Sequence, residues 1–378
     1  IIMDEFINKY IDGFIKLSKP NKPLWNINST KYNHSPTWNY VDGCMMTSLL
    51  ELYKIAKKDK YLDFVVDFVE FYVYEDGIIK GFELENFSTT DVSMSRILFD
   101  LYKFTSDTKY LKAIEYTRQR ILKHPRTNEG NFSHKKTYPH QVSLDDLYMM
   151  MPFYIQYEKY LNNKKNYPDI LNQFRNVRLR MFNETKKLYH HGYDSTKSVF
   201  WANKTTGLSQ SFWLRAIGWY IVALIDVIDY LDENDTDEFL TLTTIFKEAI
   251  EGILQYQDNE TKLFYHVVDM QNRPGNYLET SGSAMIAYAL LKGVRLKILD
   301  ESYRRKGEEI FDGICDNFLQ EKNGTLNLVN ISSELGLGHE GNLRQDGTFE
   351  YYISEPIFEN DAIGIAPFIM AYVEKIRK

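Results

Sequence analysis

The sequence predicts an all-α fold, an (α/α)6 barrel of six helical hairpins spanning residues 1–378 as one domain. Three observations lead there. Apolar residues recur at three- and four-residue steps through most of the chain. A unit of helix, polar turn and helix repeats along it. Few segments alternate as strands do, and no Pro-, Gly- or Ser-rich linker divides the 378 residues.

The helices follow in order. In 47–66, Leu49, Leu50, Leu52, Tyr53 and Ile55 share a face, and Tyr61, Leu62, Val65 and Val66 continue after a polar break. Residues 95–121, 145–161, 212–231, 237–255, 280–298 and 302–319 read the same way. The best strand patterns, 263–268 and 325–331, are short and fit hairpin or loop pieces. Leu50-Glu51-Leu52-Tyr53-Lys54 leads into Lys58-Asp59-Lys60-Tyr61-Leu62, and Phe99-Asp100-Leu101-Tyr102-Lys103 leads into Asp107-Thr108-Lys109-Tyr110-Leu111. Leu52 and Leu101 stand 49 residues apart, and a unit of about 50–60 residues gives roughly six hairpins. Closed into a ring they form a barrel; left open they form a solenoid with a concave binding surface. In the ring, chemistry is expected in the loops of one rim, where irregular backbone supplies polar groups.

Composition narrows the function. Lys+Arg is 45 against Asp+Glu 52, a net charge of -7, which argues against nucleic acid as a partner. Aromatic residues make up 15%, with Tyr 28, Phe 23 and Trp 5; such a supply fits a large helical core or a cleft whose rings stack on sugar CH groups. No run of about 18 uncharged apolar residues occurs, since Asp226 and Asp229 interrupt the best candidate, 220–231, so no membrane span is expected. Cys44 and Cys315 have no metal-ligand spacing and suit a reducing compartment, so a cytoplasmic protein is expected. Ile1 and Ile2 are expected to be a remnant before a start at Met3, with no basic-then-apolar leader visible.

Four loop-rich segments could carry chemistry. In 132–149, a loop with His134, Lys135 and Tyr138 runs into Ser143, Asp145 and Asp146 at a helix start. Asp145 reads either as a helix cap or as a functional acid. The helix dipole would lower its pKa, so a proton donor here needs burial to offset that effect. In 188–194, His190 and His191 are adjacent, point in opposite directions in an extended turn, and lack a third ligand at zinc spacing, so no metal is expected. In 211–219, Trp213 and Trp219 flank Arg215; the guanidinium suits a sugar carboxylate and an indole suits the ring, while core tryptophans with a surface arginine is the competing reading. Residues 276–285, 346–352 and 360–364 read as cleft wall, their small residues letting a helix start pack tightly. Walker, GxGxxG, GxSxG and HExxH motifs are absent.

Together these segments resemble the unsaturated glycuronyl hydrolases of glycoside hydrolase family 105, relatives of family 88, over nearly the whole chain. The resemblance implies an (α/α)6 barrel that removes the 4,5-unsaturated uronic acid left by polysaccharide lyases, with rhamnogalacturonan-type fragments the first choice. The family's Gln-Val-Trp-Leu-Asp-Gly-Leu-Tyr-Met stretch matches 141–149 and implies that Asp145 is the catalytic acid. A second family aspartate matches Asp91, and Tyr40, His134, His191, Trp213, Arg215 and Trp219 fall on substrate-pocket positions. Ser143 and Asp146 replace the family's Trp and Gly, and Leu214, Ala216 and Ile217 replace smaller or polar residues, which alters the pocket on the leaving-group side.

The implied chemistry needs neither metal nor organic cofactor. Protonating C4 of the enol ether makes C5 oxocarbenium-like, water attacks there, and the hemiketal opens to release the aglycone. One carboxyl group can donate the first proton and accept the second. Asp91 is expected to sit near Asp145 and raise its pKa, whereas Asp146 is expected to point about 100° away and to matter little. Two alternatives stand beside this reading. One is a glycosidase acting on saturated sugars with Asp91 and Asp145 as its carboxylate pair; the other is a helical-repeat binding scaffold without turnover.

Overall fold

Six helices form an inner ring: Tyr40–Ala56, a run from Thr89–Ser93 through the 3-10 turn Met94–Ile97 into Leu98–Thr105, then Asp146–Leu161, Leu214–Asp229, Thr280–Arg295 and Ala362–Ile376. In the computed structural model, which describes residues 2–377, each packs against the next and the last closes on the first. Asp59–Glu70, Lys109–Leu122, Tyr167–Met181, Thr236–Leu254 and Ser302–Phe318 return outside the ring. Ile2–Leu17 completes the outer layer, with Asp12 paired to Lys60 at 3.0 Å. The architecture is the (α/α)6 barrel. Ile1, one of the two residues read as a remnant, lies outside the described residues.

Burial explains the two layers. Every residue from Leu214 to Ile228 is buried, so this helix is apolar almost all round, as an inner position requires. Outer helices keep one apolar stripe; in Tyr167–Met181 it is Ile170, Leu171, Phe174, Val177 and Met181. The repeat is structural as well. Lys57 and Ser106, at equivalent places in the two units, are both left-handed (φ 54° and 59°), and each backbone N–H closes its helix on the carbonyl four residues back at 2.8 Å. Segment 95–121, read as one periodic stretch, is therefore two helices parted at this turn.

The strands differ from expectation. Segment 263–268 forms only isolated bridges, Tyr265 to Leu278 and Trp213 to Val267, because no neighbouring segment runs beside it for more than one residue pair. Thr325–Leu328 pairs with Leu319–Lys322, and Ile331–Ser332 with Ile357–Phe358. Gln141–Ser143 pairs with Gly192–Asp194, a contact across 49 or more residues that local pattern does not signal. Among the described residues no helix is long and apolar enough to cross a membrane. Cys44 and Cys315 are both free and buried.

Asp226, which interrupts the apolar run, is buried between three inner helices. Its carboxylate accepts from Arg96 Nη2 (3.1 Å), Lys292 Nζ (2.9 Å) and Tyr288 Oη (2.6 Å). Burial alone would raise its pKa, but the two cations outweigh that and hold it low. Replacing it by alanine strands two buried cations. Asp226→Ala is expected to cost about 3–5 kcal/mol in denaturant unfolding; a loss below about 1 kcal/mol would show that the cluster adds little to the ring.

Candidate active site

The six inner helices start at one rim, directly after Asn39, Ser88, Asp145, Trp213, Glu279 and Asp361. Asn39, Glu279 and Asp361 use their side chains as caps, accepting from Asp42 N, from Ser281 N and Gly282 N, and from Ile363 N. Asp145 occupies the corresponding position and caps nothing. Its carboxylate makes no cap bond and stays partly exposed, so the helix-cap reading of Asp145 does not hold.

The Gln141–Ser143 ladder builds its surroundings. Ser143 lies opposite Gly192, and Leu144 N donates to His191 O at 2.8 Å, which sets the His191 ring beside Asp145. Ser143 Oγ donates to Asp145 Oδ1, and His191 Nε2 stands 3.9 Å from the same oxygen. Burial pushes the His191 pKa down to about 3, with His134 adding to the fall, so the ring is neutral. Its Nδ1 is 2.6 Å from Tyr352 Oη. We assign the tautomer in which Tyr352 donates to Nδ1 and the Nε2–H faces Asp145. The Trp213 ring packs on His191 with centroids 4.8 Å apart, and its Nε1 is buried without a partner among the described residues.

Asp146 is a correction to the expectation that it is idle. It is buried, accepting from Thr89 Oγ1 (2.6 Å) and from Ser143 N (2.8 Å), and it lies 2.7 Å from His134 Nδ1. The Asp146 side chain reaches back three residues to the Ser143 N–H just ahead of the helix, a local side-chain-to-backbone bond whose Ser143-x-x-Asp146 spacing is visible in the sequence. Burial by itself would lower the His134 pKa, but the Asp146 carboxylate more than offsets this and raises it. Asp145 is raised as well, first by burial and then by Asp146, against the pull of His134 and Ser143.

Asp91 is the second correction. It lies in the short helix Thr89–Ser93, but the charges acting on it are Arg120, Glu83 and Lys135, and burial raises its pKa to about 6. The carboxylate that chiefly perturbs Asp145 is Asp146, not Asp91. Arg215 also differs from the expected clamp. It is 1% exposed, donating from Nε to Ser281 Oγ (3.0 Å), from Nη1 to Ser333 O (3.1 Å) and from Nη2 to Ser332 O, with Glu279 3.8 Å away. Trp219 sits below the rim, stacked on Tyr148 at 3.9 Å and 20°, so the two tryptophans do not wall one ring between them. His190 turns away from His191, its Nδ1 2.6 Å from Ser209 O. Among the described residues no three His, Cys, Asp or Glu side chains converge as metal ligands.

Tyr40 begins its inner helix facing Glu334, and the charges of Arg215 and Asp145 also act on it. Glu334 escaped sequence reasoning altogether, because nothing local marks it. It follows the strand Ile331–Ser332, whose carbonyl Ser332 O and neighbour Ser333 O are the acceptors of Arg215. Its Oε2 accepts from Asn28 Nδ2 at 3.3 Å. The side chain is open to solvent, yet surrounding protein atoms and the Asp145 charge raise its pKa against Tyr40, Arg215 and Asn28. Beside it lies a polar cavity of about 220 Å³ lined by Asn28, His34, Asn39, Tyr40, Thr90 and Glu334, among others. Larger cavities of about 520 and 640 Å³ lie under the N-terminal helix and at the opposite end of the barrel, away from Asp145. Gly282 lets the cleft wall close up: a Cβ there would stand 2.3 Å from Leu214 Cγ.

Comparison with known proteins places the chain in a family. The sequence profile described as Glycosyl Hydrolase Family 88 matches residues 18–378. A solved glycoside hydrolase from family 105 of C. acetobutylicum ATCC 824 is 38% identical, with 98% of each chain covered and a TM-score of 0.90. The unsaturated rhamnogalacturonyl hydrolase YesR of Bacillus subtilis (strain 168) is 26% identical over 265 residues, 68% of this chain and 72% of that protein. An unsaturated glucuronyl hydrolase from Bacillus sp. GL1 shares the fold at 14% identity, with a TM-score of 0.69 and coverage of 99% and 96%. With nearly the whole chain matched by one family profile and by a family 105 structure, the chain belongs to glycosyl hydrolase family 88 and its family 105 relatives.

Proposed function

We propose that this glycoside hydrolase removes the 4,5-unsaturated uronic acid from the non-reducing end of lyase-generated oligosaccharides, rhamnogalacturonan-type first among them, by hydrating the C4=C5 enol ether. The observation that carries the reading is Asp145: a carboxyl group at a helix start that caps nothing, stays partly exposed beside His191, and is kept protonatable by burial and Asp146. The names of the family 105 and YesR relatives support the substrate class. We further propose that residues 1–378 act as a single catalytic unit in the cytoplasm, where two free buried thiols are at home.

In the proposed cycle Asp145 gives its proton to C4, and positive charge develops at C5. The resulting carboxylate takes a proton from the attacking water, whose oxygen bonds to C5. Collapse of the hemiketal breaks the ring C5–O bond, and the hemiacetal formed at C1 then expels the aglycone. The Nε2–H of His191 steadies the carboxylate after donation, while the Trp213 face and Tyr40 bound the sugar. His134 and Asp146 set the charge around the acid. Arg215 acts as a positioning residue through Ser332 and Ser333. The two-carboxylate alternative with Asp91 is less well supported, since the carboxylate that chiefly perturbs Asp145 is Asp146.

Three measurements test this reading. Asp145→Asn keeps the shape and removes the proton, so turnover should fall at least about 10³-fold, on the order of 4 kcal/mol, followed by ultraviolet loss of the conjugated double bond. Activity within about tenfold of the wild type would remove Asp145 from the mechanism. Asp146→Asn removes the like charge that raises Asp145. The acid form is the active one and is lost as pH rises through its pKa, so a lower pKa should move the alkaline limb of the pH–rate profile to lower pH. An unmoved limb would deny the coupling. Arg215→Lys keeps charge but loses the fork that serves Ser281, Ser332 and Ser333; stability should fall on the order of 2–4 kcal/mol along with activity. Loss of activity at wild-type stability would instead make Arg215 a direct substrate ligand.

A further inference from the structure

Glu334 is a carboxylate held in the cleft by devices that serve no other evident end. The backbone before it is fixed on three sides: Ser332 N donates to Glu279 Oε2 (2.9 Å), Ser333 N donates to Pro356 O (3.1 Å), and both carbonyls accept from the buried Arg215 guanidinium. Its side chain is then steered by Asn28 and Tyr40 while remaining open to solvent. It lines the cavity of about 220 Å³, space for about one sugar ring, together with Tyr40, on which the charge of Asp145 also acts. Among the described residues that cavity presents the carboxylate of Glu334, the buried carboxylate of Asp42 beneath it, the His34 imidazole, amides and hydroxyls, but no Lys or Arg.

We propose that Glu334 is a specificity-determining residue that selects leaving groups by charge, admitting a neutral, hydroxyl-rich sugar beside the reacting uronate and excluding a sulfated or carboxylated one. The inference rests on the reading of function above and deepens it. A hydroxyl can donate to the Glu334 carboxylate or to the Asn28 side-chain oxygen. An anionic substituent would be taken from water into a cavity without Lys or Arg, facing a fixed negative group. In the reading above the uronate itself lies at Asp145. The leaving group, one residue further along the substrate, meets Glu334 instead.

The test uses two unsaturated disaccharides that differ only in one sulfate on the reducing-end sugar. The wild type should favour the neutral one about tenfold or more in kcat/KM, the size of one close like-charge contact at the surface, and the ratio should shrink as salt is raised. Glu334→Gln keeps the shape and hydrogen bonding, and should bring the ratio to within about threefold of unity by raising kcat/KM on the sulfated substrate. A ratio unchanged in folded Glu334→Gln, or a wild type that prefers the sulfated disaccharide, would overturn the proposal. So would a preference insensitive to salt. Turnover of neither disaccharide by the wild type would defeat the underlying hydration reading itself, an outcome distinct from turnover of both at equal rates, which defeats only the role of Glu334.

Discussion

Carboxylates can gather at one end of a barrel only if something offsets the cost of burying them, and here the six inner helices supply it. All six begin at the same rim, so their unpaired N–H groups and the positive ends of their dipoles point toward the cleft. Glu279 and Asp361 take up those N–H groups directly. Asp361 shows how close the balance is, since burial still pushes its pKa up to about 7. Asp145 receives the dipole of its helix without a cap bond, and burial with Asp146 prevails.

Arg215 ties the opposite wall to this arrangement. Its guanidinium joins the start of Thr280–Arg295 to the strand Ile331–Ser332, and through Ser281 and Glu279 it shares one network with the caps. The cleft thus has two walls with separate supports. The Gln141–Ser143 ladder fixes Asp145 and His191, and the Arg215 network fixes Glu334 and the loop beyond it.

Much of the fold could be read from the chain because inner helices are apolar all round and the hairpin unit repeats, down to the left-handed Lys57 and Ser106. Outer helices such as Tyr167–Met181 were harder, since arginines and asparagines crowd a thin apolar stripe. Of the candidate site, Asp145, His134, His191 and Trp213 were legible because they sit where loops meet helix starts. Asp146 is only partly legible, since the Ser143-x-x-Asp146 spacing marks its bond to Ser143 N but not its contacts with Thr89 and His134. The environment of Arg215 was not, because its acceptors lie 117 and 118 residues along the chain. Glu334 likewise acquires meaning only from Asn28 and Tyr40, which belong to the far end of the sequence.

The central claim is that water adds across C4=C5 and that the glycosidic bond is broken only as a consequence. Turnover in D2O, with early product analysed by NMR, tests it most directly. The account predicts one deuterium at C4, delivered to a single face by Asp145, in product that has lost the double bond before the aglycone is free. Deuterium distributed over both faces of C4, or released uronic acid that still carries C4=C5, would mean that the enzyme cleaves at C1 and that the double bond is lost afterwards in solution.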